Sequence, residues 1–195
     1  MTKRTLIHAG LALREAALRL AMAPCRARRS RPLAICGEIQ KILFIRIDRV
    51  GDLVLSTPAL RVLKEGFPSA ALTVLTGPAT APLLEYNPHV DRVIVYDRSW
   101  TVREKTVRLR ELRQMRFDLA VDSYDDRELE TAWIAGMSGA PLRLGYPCGG
   151  REHFLSLVAP LPEPERHMTE VVLHVLKPLG IPISSHPPEI FLTDA

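Results

Sequence analysis

The sequence predicts an α/β protein, a Rossmann-like parallel sheet with flanking helices. Three observations lead there. Apolar runs of strand length recur along the 195 residues, and helical stretches separate them. The runs are rich in Val, Ile and Leu and often continuous rather than alternating, as strands covered on both faces are. Strand–helix–strand repeated in this way implies right-handed crossovers and parallel pairing.

The expected strands are 41–47 (KILFIRI), 71–76 (ALTVLT), 92–96 (RVIVY), 118–122 (DLAVD) and 141–145 (PLRLG). After the first, Thr57-Pro58 suits an N-cap and first helical position, with the helix running to Gly66. A start near Asp52 is the alternative, which would place Pro58 inside a kinked helix. A short helix is expected from Ala79 to Tyr86, stopped by Asn87-Pro88. A longer one spans Thr101 to Met115, with Leu109, Leu112 and Met115 inward. Glu128 to Met137 and His167 to Leu179 are the last two helices, the second stopping at Gly180. Pro160, Pro162 and Pro164 stiffen the loop before it. Residues 181–195 read as a linker with a short strand from Glu189 to Leu192.

Charge is unevenly spread. Residues 1–37 hold eight Lys/Arg and one acid, Glu15, leaving 18 basic against 21 acidic groups in the remainder. Bulk charge of the globular part therefore gives no case for nucleic acid as a partner. Residues 6–22 form a helical pattern with His8, Glu15 and Arg19 on one stripe and Leu6, Leu13 and Leu20 opposite; the cluster Arg26, Arg28, Arg29, Arg31 follows. An apolar helix beside a basic cluster suits an anionic membrane surface, and packing on the domain followed by a solvated linker is the plainer alternative. Arg14, Glu15 and Arg19 interrupt the apolar run too often for a secretory signal or a bilayer span. Cys25, Cys36 and Cys148 are scattered, without metal-binding spacing, and suit reduced thiols in a cytoplasmic protein.

The stretch Arg46 to Phe67, RIDRVGDLVLSTPALRVLKEGF, is the candidate site. It leaves the end of the first strand, passes Gly51-Asp52 and enters a helix, and ligands of open α/β sheets gather at that kind of crevice. Gly51 allows another molecule close to the backbone. Asp52 brings a carboxylate to the crevice mouth, with helix capping as the structural alternative. Asp48 reads as a loop residue paired with Arg46 or Arg49. Arg46, Arg49, Arg61 and Lys64 surround the loop; Arg49 is the best placed for a substrate, and Arg61 and Lys64 suit a solvated helix face. Arg143 lies in a strand and points either into the crevice or out. His167 with Glu170 suits a helix cap, and Trp100 and Trp133 suit packing more than sugar stacking.

This stretch, with NPHVDRVIVYD, FDLAVD, SGAPLRLGY and RHMTEVVLHVLKPLGI, resembles glycosyltransferase family 9, whose best-known members are lipopolysaccharide heptosyltransferases; the resemblance covers most of residues 41–182. It implies two Rossmann-like domains facing each other across a cleft, the GT-B architecture. This chain would be the N-terminal, acceptor-side half. The implied organisation is a basic helical extension over 1–37, the acceptor-side domain over 38–182, and over 183–195 an interdomain linker and the start of a missing donor-binding domain. The resemblance further implies inverting sugar transfer from a nucleotide-sugar such as ADP-heptose to a lipopolysaccharide core or related glycan, without metal or cofactor. Asp52 falls on the family's proposed catalytic base, and Gly51, Arg49, Arg46 and Arg143 become candidate substrate contacts. The partners expected are a glycolipid or glycan acceptor, a nucleotide-sugar donor and an anionic membrane surface, with a cytoplasmic location, peripheral on the inner membrane face. Ser123-Tyr124-Asp125-Asp126 departs from the short apolar, Gly-containing turn of the family. Two rivals stand beside this reading. One is a truncated glycan-binding remnant without turnover. The other is an unrelated nucleotide-binding α/β domain, against which stands the absence of any GxGxxG or P-loop pattern.

Overall fold

A computed structural model of the chain describes residues 38–123, 128–163 and 166–192; the extension over 1–37 with its expected helix, and Tyr124 to Asp126, lie outside the described residues. Six strands form one sheet: β1 (Lys41–Arg46), β2 (Ala71–Thr76), β3 (Arg92–Val95), β4 (Leu119–Asp122), β5 (Leu142–Gly145) and β6 (Leu157–Val158). Every pair is parallel and the order is β3-β2-β1-β4-β5-β6. The helices are α1 (Val50–Val54), α2 (Thr57–Gly66), α3 (Val102–Gln114), α4 (Glu130–Met137) and α5 (Met168–His174). Five strands fall where the apolar runs predict them. β6 was not foreseen, because two residues between prolines carry no periodicity.

Alternation along β1 divides the core. Ile42 and Phe44 belong to the cluster shared with Leu60, Leu63, Val172 and Leu176 on the α2 and α5 side. Leu43 and Ile45 belong to the cluster with Leu109, Leu112, Ile134 and Ala135 on the α3 and α4 side. Those four β1 side chains are essentially without exposed surface, as a central parallel strand requires. At about 25 cal/mol per Å² of apolar surface removed from water, each contributes roughly 1.5–3 kcal/mol.

The two possible starts of the first helix are both realised. A continuous helix would require an N–H at Pro58 to reach the Val54 carbonyl, and proline has none. The Thr57 hydroxyl donates to the Val54 carbonyl instead (2.8 Å), and the Ser56 hydroxyl to that of Asp52 (2.6 Å). Ser56 is the N-cap of α2, and Pro58 sits in its first turn. The helix α3 is fixed at its start by a capping box: the Glu104 carboxylate accepts from the Thr101 amide at 2.7 Å and the Glu104 amide donates to the Thr101 hydroxyl. His167 caps α5, its ring nitrogen accepting from the Thr169 amide. That helix ends at His174, and the expected last turn is a separate 3-10 turn, Lys177–Leu179, closed by Gly180 in the left-handed region. Likewise the Ala79–Tyr86 helix reduces to a 3-10 turn, Ala81–Leu84.

The strand expected at Glu189–Leu192 is not formed. Residues 181–192 run along α2 and pair with no strand. They are held by side chains: the Glu189 amide donates to the Thr57 hydroxyl (2.9 Å), and Arg61 bridges Glu65 (2.9 Å) and Glu189 (3.0 Å). Glu65 also accepts from Ser184 and meets His186, both at 3.1 Å. Arg61 is thus engaged within the fold, and so is Lys64, which donates to Asp91 (2.9 Å) and the Ala70 carbonyl (2.8 Å).

Hydrogen bonds from Arg61 first, then His186 and Ser184, hold the Glu65 carboxyl down at about 2, against 4.5 for an unperturbed glutamate. A depressed carboxyl contributes its share of the clamp above pH 4.5 and loses it as pH falls through 2. Protection of the Glu189 amide, its exchange measured against the intrinsic rate at each pH, should therefore hold at pH 5 and fall toward pH 2, and Glu65→Gln should lower it already at pH 7. Unchanged exchange in the variant would show that Glu65 does not hold the segment.

Candidate functional site

The strand order reverses between β1 and β4. From β1 the chain winds through β2 to β3, then crosses over to β4 and continues through β5 to β6. Above the carboxyl ends of β1 and β4 the connections diverge and leave a crevice. Ile45 is level with Asp122, so Arg46 and Ser123, the next residue of each strand, face each other across its floor.

Arg46 is 2% exposed. Its guanidinium donates to the Ser123 carbonyl and meets the Ser123 hydroxyl, both at 3.4 Å, and lies 3.8 Å from the Asp48 carboxylate and 4.0 Å from that of Asp52. A buried guanidinium is tolerated only among carboxylates and carbonyls that replace its water. Arg46 is therefore a support under the loop, not a surface contact for substrate. The expected Arg46–Asp48 pairing is present, and Asp48 also meets Arg98 at 3.5 Å.

Asp52 does not cap a helix. The N-cap of α1 is Arg49, and Asp52 lies in the first turn, its side chain 34% exposed. Beyond the loose contact with Arg46, its carboxylate oxygens accept no hydrogen bond from any described residue. α1 has five residues and only Leu53 is buried. The loop thus presents a carboxylate whose oxygens are open to an incoming donor, tethered from below.

Gly51 is exposed, has an ordinary backbone conformation and would have nothing within 4 Å of an added Cβ. Neither packing nor a left-handed φ within the chain requires a glycine there. Arg49 is exposed, with no side-chain partner among the described residues. Val50 between them is 47% exposed. The lip of the crevice is therefore a cation, a small apolar surface and bare backbone, next to Asp52.

Arg143 does not join this group. It is level with Ala120 and Leu43, three residues below Arg46 along the sheet, or about 10 Å at ~3.3 Å per residue. Its guanidinium is 94% buried by residue and donates to the carbonyls of Phe154 (2.6 Å) and Ala140 (2.7 Å). It holds the β5–β6 connection in place.

The wall on the β4 side rests on a pair that composition and spacing do not signal. Asp122, at the end of β4, pairs with Arg151, and both side chains have no exposed surface. Arg151 also donates to the Glu128 carbonyl (2.9 Å) and the Thr131 hydroxyl (3.1 Å), tying the strand end to the start of α4. An aspartate ending an apolar strand flush with the core demands a buried cation, and that demand was the available clue. On the β1 side, Arg98 joins Asp48 to Glu128 (2.8 Å), and Glu130 receives Lys105 (2.8 Å) and the Tyr96 hydroxyl (2.9 Å). Burial would raise the Glu130 carboxyl, but the bonds from Lys105 and Tyr96 outweigh it and hold it low. Burial first, then that bond, pushes the Tyr96 phenol up. Trp100 packs edge-on to Tyr96 and under Arg108, and Trp133 packs on the core. Cys148 is half-buried against the core. Among the described residues no group of three or more His, Cys, Asp or Glu is placed to hold a metal ion, and no helix is long and apolar enough to cross a membrane.

Known proteins resemble this chain in sequence and in fold. A protein of Haemophilus influenzae named as a glycosyltransferase is 30% identical over 100 residues, 51% of this chain and 29% of the relative. Lipopolysaccharide heptosyltransferase 3 of Escherichia coli is 26% identical over 142 residues, 67% of this chain and 40% of the relative. Among solved structures, the glycosyl transferase family 9 protein of Veillonella parvula superposes with a TM-score of 0.74 at 23% identity, over 83% of this chain and 48% of that one. The E. coli heptosyltransferase WaaC, solved with ADP-2-deoxy-2-fluoro heptose, gives 0.63 at 14% identity, over 77% and 51%. No family model matches the chain. By sequence the chain is related to glycosyltransferases, heptosyltransferases among them, and by fold it matches glycosyltransferase family 9. It spans about half the length of those structures and less of the curated relatives.

Two stability measurements separate support from lip. Arg151→Met leaves the Asp122 carboxylate buried without its cation and should cost about 3–5 kcal/mol in urea unfolding, while Asp122→Leu with Arg151→Met should recover most of that loss. A loss under 1 kcal/mol in the single variant would show that the pair does not hold the wall. Gly51→Ala should instead stabilise, by about 0.5–1 kcal/mol, since a helical glycine costs that much and the new methyl meets nothing. A destabilised variant would mean that the fold itself requires the glycine.

Proposed function

We propose that this chain is the acceptor-side half of an inverting glycosyltransferase of the heptosyltransferase type. Asp52 is the general base. The observation that carries this reading is the Asp52 carboxylate itself, at the switch point of the sheet, part-exposed, held only by a 4.0 Å contact with a buried arginine. A base that removes a proton from an attacking hydroxyl needs oxygens free to accept it at about 2.6–3.2 Å. A first-turn carboxylate with neither oxygen spent on a cap meets that need.

In an inverting transfer the acceptor oxygen attacks the anomeric carbon as the bond to the nucleotide diphosphate breaks on the opposite face. Asp52 takes the hydroxyl proton as the new C–O bond forms. Arg46 fixes where the carboxylate stands, and Asp48 and Ser123 fix Arg46. Gly51 lets the acceptor ring lie against the backbone, and Arg49 offers a guanidinium to a phosphate or carboxylate on it, such as lipopolysaccharide core sugars carry. The donor is a nucleotide-sugar of the ADP-heptose kind, and the groups that stabilise its departing diphosphate belong to a second domain. The absence of a glycine-rich phosphate loop over 46–58 agrees with that division. The reaction takes place on the cytoplasmic face of the membrane and uses no metal.

With a donor-binding domain supplied, Asp52→Asn should lower kcat for transfer by about 10²–10⁴-fold, the range of general-base catalysis, with KM for the acceptor little changed. Because Asp52 makes no cap, unfolding free energy should shift by well under 1 kcal/mol. An Asn variant with near-normal kcat would remove Asp52 from the mechanism.

A further inference from the structure

From Arg98 to Arg116 the chain carries seven basic and two acidic side chains, while the rest of residues 38–195 carries 11 basic and 19 acidic. Positive charge is thus concentrated on α3 and its flanks. Part of it is matched within the fold. Arg98 meets Asp48 and Glu128, Lys105 meets Glu130, and Arg108 meets Glu111. Both acids are also used locally, Glu104 in the capping box and Glu111 on Arg108. Arg103, Arg110, Arg113 and Arg116 remain. All four are exposed, and none has an ion pair or side-chain hydrogen bond with a described residue.

These four share a surface. Positions 103, 107, 110 and 114 recur at helical spacing, and 102, 106, 110 and 113 lie beside them, so Arg103, Arg110 and Arg113 stand on one acid-free stripe. Arg116 continues it just past the helix end. Val102 and Val107 flank the arginines and are 82% and 48% exposed. Leu109 and Leu112 bury the opposite side, and the capping box fixes the first turn, so the stripe is presented on a rigid element.

We propose that this face of α3 docks on a lipid surface with acidic headgroups. Like charges at helical spacing repel one another, and an anionic plane relieves that along the whole helix, about 20 Å at 1.5 Å per residue. The valines favour a bilayer over a nucleic acid: hydrocarbon beside a cation is accommodated at the headgroup level, and a phosphate backbone offers it nothing. Trp100, the nearest aromatic, is occupied by Tyr96 and Arg108 and does not offer its ring to a base. Arg98 connects the start of α3 to Asp48, so the docking face and the crevice loop are neighbours. The inference does not depend on the proposed reaction.

The test is co-sedimentation of the full chain with phosphatidylcholine vesicles, with and without phosphatidylglycerol. Binding should need the acidic lipid and weaken as salt rises. Arg103→Gln/Arg110→Gln/Arg113→Gln should lower partitioning on the order of a hundredfold, from roughly fivefold per arginine, with the melting temperature unchanged. Val102→Ser/Val107→Ser should lower it several-fold and leave the salt dependence. Since residues 1–37 are also basic, partitioning unchanged in the triple variant would assign binding elsewhere and overturn the proposal. So would no binding by the intact chain, or duplex DNA bound more tightly than the acidic vesicles through the same arginines.

Discussion

A fully buried ion pair, Asp122 with Arg151, fixes one wall of the crevice, and the placement of the other groups follows from it. Two charges without water are costly to bury, and they persist because each is met by several partners. Arg151 reaches the end of β4, the Glu128 carbonyl and the Thr131 hydroxyl at once. Ser123, immediately after Asp122, then stands opposite Arg46, and Arg46 carries the loop with Asp48 and Asp52. Rigidity passes from the buried pair to the floor and from the floor to the Asp52 carboxylate.

The same arrangement assigns distinct roles to the arginines of the domain. Arg151 and Arg143 are internal fasteners, Arg61 clamps the segment over 181–192, and Arg46 supports the loop. Arg49 at the lip, Arg92 at the start of β3 and the stripe on α3 face outward without partners among the described residues. Guanidinium groups bridge several oxygens at once, which suits them to the first set of tasks, and they bind phosphate as forks, which suits them to the second.

Much of the fold was legible. Five apolar runs became five parallel strands, and helices start near Thr57-Pro58, Thr101 and His167 as expected, although Ser56 and not Thr57 is the N-cap of α2. What was not legible depended on contacts distant in sequence. β6 is too short for a pattern, and Glu189–Leu192 is held on α2 by Thr57 and Arg61 rather than by a strand partner. The site was legible as a stretch but not in its roles. Arg46, read as a substrate contact, is a buried support, Arg143 is committed to backbone carbonyls, and Asp52 is free because Arg49, not it, begins α1. Spacing locates a loop, but burial decides what each charge in it can reach.

In the proposed reaction the acceptor lies over Gly51 and Asp52 at the β1–β4 crevice. Amide chemical-shift mapping with a phosphorylated core oligosaccharide tests it without requiring turnover. The predicted result is a contiguous set of perturbations at Arg49 to Leu53 and at Ser123, with α5 and the β5–β6 connection silent. Perturbations confined to another face, such as the outer face of α3, or none at Gly51 and Asp52 at saturating ligand, would contradict it.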